Sequence, residues 1–67
     1  MTDLELSYAR TFSTAHGARV LKHLRKITIE RVLSVHATDA EMRSLESQRF
    51  LVHQIETLVS RGRGDEK

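Results

Sequence analysis

Apolar residues recur along the chain at alternating spacings of three and four, the signature of helices with one buried stripe. Gly17, Val20, Leu24, Ile27 and Arg31 trace such a stripe, flanked by Leu21, Thr28 and Val32, and Leu45, Gln48, Val52, Ile55 and Val59 trace a second, supported by Leu51 and Leu58. No stretch alternates apolar and polar long enough to read as a strand. Ser13 or Thr14 caps the first of these helices, which the stripe carries to about Val35. A break at Val35-His36-Ala37 follows, and Thr38 with Glu41 three residues on forms a reciprocal capping box for the next helix. Gly62 is the expected left-handed stop after Arg61.

The fold class expected is therefore all-α: an antiparallel helical hairpin of about residues 14–35 and 39–61, forming one small domain over 1–61. Asp3 to Arg10, behind a possible Thr2 cap, is a short N-terminal helix or arm, and the polar residues 62–67 are a disordered tail. Counting back from the turn sets Leu24 level with Val52, Val20 near Ile55 and Gly17 near Val59. Gly17 then either lets the two backbones approach at the open end or serves a capping turn. Arg31 and Gln48 interrupt the stripes near the closed end. They form a polar layer with Glu41 and Ser44 as acceptors, or the hairpin splays and Arg31 meets solvent.

At 67 residues the core is thin, and without cysteine no disulfide supports it. A cavity deep enough for catalysis does not fit such a chain. Glu46 and Glu56 stand nearly three turns apart on one helix, no nucleophile or phosphate-loop signature occurs, and an enzyme is not expected. His16, His23, His36 and His53 include no i, i+4 pair, so neither a metal nor another cofactor is expected. No membrane span or signal peptide is visible, which points to synthesis in the cytoplasm. What remains is contact with other macromolecules. Ile29, Leu33 and Phe50 lie off the main stripes, and Leu4, Leu6, Tyr8 and Phe12 cover only part of the apolar surface left over.

The net charge is +2, but six basic residues and one acid lie between Arg10 and Arg31. Arg19, Lys22 and Lys26 share one helix face, with His16 and His23 at its margin, so weak, nonspecific contact with DNA phosphates is the alternative function. Glu30 closes that face, and no aromatic is interleaved to stack on bases.

Two patterns carry a family resemblance over roughly residues 10–61. Phe12-Ser13-Thr14, Gly17, Val20-Leu21 and Leu24 read F-S-T-x-x-G-x-x-V-L-x-x-L, and Glu46, Gln48-Arg49, Leu51-Val52 and Ile55 read E-x-Q-R-x-L-V-x-x-I. Together they resemble the small structural proteins encoded among the head and portal genes of tailed phages and prophages, first described as a virion component of a Bordetella podophage. Ser47 stands where such proteins usually carry glycine. The resemblance implies a protein of the virion or procapsid, present in the host cytoplasm during assembly. It would dock on a portal, neck or capsid partner, as one copy of an oligomer in a symmetric assembly. Glu46 and Arg49, one turn apart, form a pair too weak to explain their place in the pattern by stability alone. The expected contact residues are Phe12, Gly17, Ile29, Leu33, Gln48, Arg49 and Phe50.

Overall fold

The computed structural model describes residues 2–64 and is all-α. Three helices follow in order: α1 (Asp3–Phe12), α2 (Ala15–Thr28) and α3 (Asp39–Arg63). Each begins behind a threonine whose hydroxyl accepts an otherwise unpaired first-turn amide: Thr2 from Glu5, Thr14 from Gly17 and Thr38 from Glu41. The reciprocal capping box forms at Thr2 and Glu5. At Thr38 the hydroxyl accepts from the Glu41 amide at 3.1 Å and lies 3.2 Å from the Glu41 carboxylate.

α3 is the spine. Leu45, Val52 and Val59 recur every seven residues along one side and are, with Ala9 of α1, the buried apolar core at 4–5% exposure. The residues left half-buried, Leu6, Tyr8, Phe12, Leu21, Leu24, Ile55 and Leu58, surround this line. α1 is thus a third packed helix and no loose arm: Glu5, Ala9 and Ser13 meet residues 61–63, which sets it across the last turns of α3.

Two glycines permit that arrangement. Gly62 is buried inside α3, where an added Cβ would stand 2.7 Å from the Ala9 Cβ and press on the Glu5 carbonyl. It is a crossing point and not the helix stop; α3 runs on through Arg63, and Gly64, at φ 78°, supplies the left-handed cap. The expected tail is therefore helix as far as Arg63, and its remainder, 65–67, lies outside the described residues. Gly17 makes the other close approach. A Cβ there would meet the Thr11 carbonyl and, at 2.9 Å, the Phe12 Cα, so Gly17 serves the tight α1–α2 corner and not an approach to Val59.

The second helix also departs from its expected length. It ends at Thr28, seven residues before Val35, and a ten-residue connection, 29–38, leads to α3. Val20 and Ile27, expected on the seam, remain 52% and 43% exposed because α1 takes part of the α3 surface that a two-helix hairpin would have given them. Arg31 falls in the connection and is exposed, as is Gln48, so no buried polar layer forms between them.

Two predictions follow from the α1–α3 crossing. Gly62→Ala gains about 1 kcal/mol of helix propensity yet collides with backbone, and urea unfolding will show a net loss of about 1–3 kcal/mol. The Glu5 carboxyl is held below its ordinary range chiefly by the Thr2 amide it accepts, aided by the Thr2 hydroxyl, the N-terminal charge and Arg61. A carboxyl lowered by folding stabilises the fold above its unfolded pKa of about 4.3, and that contribution is lost as pH falls through the folded value. Acid titration of Glu5→Gln will accordingly show a weaker dependence than the parent below about pH 4.

Candidate functional site

The end of α2 is set from a distance. Ile27-Thr28-Ile29 is a β-branched run with reduced helix propensity, and the Thr28 hydroxyl bonds back to the Leu24 carbonyl at 2.7 Å. The decisive partner is Arg49 of α3. Its Nε donates to the Thr28 carbonyl at 2.9 Å and its Nη2 to the Arg31 carbonyl at 2.6 Å, while Nη1 pairs with Glu46 at 2.9 Å. The guanidinium thus occupies carbonyls that a continuing helix would have given to its own amides, and places its charge at the negative end of the helix dipole. A second tie lies one turn back. Arg25 grips Glu56 through both carboxylate oxygens, at 2.8 and 2.9 Å, and reaches Glu30 at 3.6 Å. Neither tie is spelled out locally: Arg25 and Glu56 are 31 residues apart, and of the Arg49 bonds only the one to Glu46 lies within a helix turn.

Held in this way, the connection half-buries Ile29 and Leu33 and turns Val32 and Val35 outward. A turn closed by the Ala37 amide on the Ser34 carbonyl at 3.0 Å leaves Val32 and Val35 90% and 95% exposed. Between the connection and α3 opens a depression of about 300 Å³, walled by Val32, Leu33, Met42 and Leu45 with the Glu46–Arg49 pair at its edge. Met42, Glu46 and Phe50 succeed one another every four residues, so Phe50, 66% exposed, prolongs the same side of α3. The opposite flank is a smaller hollow of about 180 Å³ containing Leu33, Ser44 and Gln48.

Of the seven contact residues expected from sequence, Leu33 and Arg49 line this depression and Gln48 the hollow on its flank, while Ile29 is half-buried at the start of the connection and Phe50 is exposed on α3. Phe12 and Gly17 lie elsewhere. Gly17 is spent on the α1–α2 corner, and Phe12 stacks on Tyr8 at 6.3 Å in a separate hollow with Leu4, Ser7 and Thr11. Arg49 has an intramolecular task that its weak pairing with Glu46 did not suggest. On α2, Arg19, Lys22 and Lys26 are all exposed.

Among the described residues no three His, Cys, Asp or Glu side chains gather as metal ligands, and no helix is long and apolar enough to cross a membrane. Compared with known proteins, residues 8–66 match the family model described as Bbp19-like phage protein. No curated protein and no solved structure matches the chain.

Arg49→Ala strips the Thr28 and Arg31 carbonyls of a charged donor and will lower stability by about 1–3 kcal/mol. Glu46→Ala, which removes only the exposed partner, will cost about 0.2–0.5 kcal/mol. Equal losses in thermal unfolding of the two variants would contradict this assignment.

Proposed function

Because the chain belongs to the Bbp19-like phage protein family, we propose that it is a structural phage protein that docks its connection end onto a larger head, portal or neck subunit. The observation that carries this reading is the near-complete exposure of Val32 and Val35 on the connection, with Val32 and Met42 walling one depression and Phe50 exposed further along α3. Burying one such side chain is worth about 1.5–3 kcal/mol, and a chain with so small a core leaves that stabilisation unused while these four large apolar side chains stand in water. The depression beside them admits an apolar side chain from the partner, and the Arg49 clamp holds its wall in shape before contact.

The occupant is a larger protein surface and not a second copy of this face. Nine residues line the depression, whereas a stable interface takes roughly 20–30 residues from each side. A pair of chains joined only through these patches would be too weak to persist. On a ring, each copy would find the rest of its interface on the ring subunit and its neighbours, and many modest contacts add through repetition.

Val32→Asp, Val35→Asp and Phe50→Asp each place a charge in that interface while leaving the buried Leu45–Val52–Val59 line untouched. Infection by phage carrying each variant, followed by mass spectrometry of purified virions and procapsids, will show the chain depleted at least tenfold, a deficit of about 1.4 kcal/mol or more in docking. Thermal unfolding of the isolated variants will stay within about 0.5 kcal/mol of the parent. Normal incorporation of all three, or absence of the parent chain from both particles, would overturn the reading.

A further inference from the structure

The outward face of α2 is built differently from the docking end. Within Ala15–Thr28 every charged side chain is basic: Arg19, Lys22, Arg25 and Lys26. Arg25 is turned inward to Glu56, on the side that carries half-buried Leu21 and Leu24 and buried Thr28. Arg19, Lys22 and Lys26 point the other way, exposed, and none is in an ion pair among the described residues. Had α2 continued, Glu30 would have joined their face four residues after Lys26. Because the helix stops at Thr28, Glu30 instead lies 3.6 Å from the Arg25 guanidinium, and the basic row keeps its charge.

We infer that this row is a sequence-independent contact for the phosphate backbone of duplex DNA. Seven residues of helix advance about 10.5 Å, a length over which three cations can each meet a phosphate of a duplex that carries about one negative charge per 1.7 Å of its axis. The charge of a duplex is the same at every sequence, which suits a row of cations none of which is held in a fixed orientation. A single-stranded partner would call for aromatic platforms, and both ends of α2's outward face lack them: Tyr8 and Phe12 stack together on α1, and Phe50 belongs to α3. Among the described residues none of the three side chains is held by a hydrogen bond or ion pair that would fix it against a base edge, which makes the contact one of charge. Since the row faces away from α3, it stays accessible when the connection end is covered. A copy docked on a protein ring thereby presents its cations to the nucleic acid, and repetition around the ring multiplies three weak contacts into a basic collar.

The test uses the full chain and two short duplexes of unrelated sequence, followed by fluorescence anisotropy at rising salt. Both duplexes will bind alike, with a log–log salt slope near −2.7, so that a fourfold rise in salt weakens binding about 40-fold. Lys22→Gln will reduce that slope by about one third, and the triple variant Arg19→Gln, Lys22→Gln, Lys26→Gln will lose binding with its circular dichroism unchanged. Amide shift mapping on the unmodified protein will place the duplex on residues 19–26, which keeps the test decisive should the triple variant unfold. The inference is overturned by a slope near zero, by shifts confined to other helices, by undiminished binding of a folded triple variant, or by a poly-glutamate competitor that displaces the chain as well as duplex does per charge. That last result would assign the row to an acidic protein surface.

Discussion

One guanidinium decides the shape of the functional end. Arg49 takes the Thr28 and Arg31 carbonyls and leans on Glu46, so α2 stops where its β-branched run begins to falter and the chain leaves the helix at an angle fixed by α3. Two consequences follow from this stop. Val32 and Val35, which further helix would have carried toward the seam, stand in solvent, and Glu30, which would have neutralised the basic face, is drawn to Arg25. The apolar end and the basic row therefore share a cause. Lysine would not replace this arginine, because a single ammonium lacks the planar fork that reaches three acceptors in different directions.

The rest of the fold solves the problem of too little core. Among the described residues the three helices bury four apolar side chains, each to 4–5% exposure, so stability depends on bringing backbones close and on satisfying helix ends. Gly62 and Gly17 supply the first, at the α1–α3 crossing and the α1–α2 corner. Thr2, Thr14 and Thr38 supply the second, and Arg25 with Glu56 ties α2 to α3 where apolar contact between them is thin. In a chain so economical, four large apolar side chains left in water are a cost that the proposed partner would remove.

What could be read from the sequence was what local chemistry determines. The three threonine caps, the seven-residue recurrence of Leu45, Val52 and Val59, and the shared face of Arg19, Lys22 and Lys26 depend on residues within a few turns of one another. The end of α2 does not. Val32, Leu33 and Val35 continue the apolar content past Thr28, and nothing nearby signals a stop that residue 49 imposes from another helix. Gly62 misled for a related reason, since a glycine near a helix end reads equally as a cap or as a crossing point, and only the position of α1 decides. The Glu46–Arg49 pair is one turn apart and legible in the sequence, whereas the Thr28 and Arg31 carbonyls that Arg49 also binds lie 21 and 18 residues away and are not.

The account stands most directly on which surface is covered in the assembled particle. Hydrogen–deuterium exchange of the chain, compared between purified procapsids and the free protein, measures this residue by residue. Docking as proposed predicts slowed exchange across the connection 29–38 and the first turns of α3, with the α1–α2 corner unchanged. Unaltered exchange in the connection, with protection confined to α1, would contradict it.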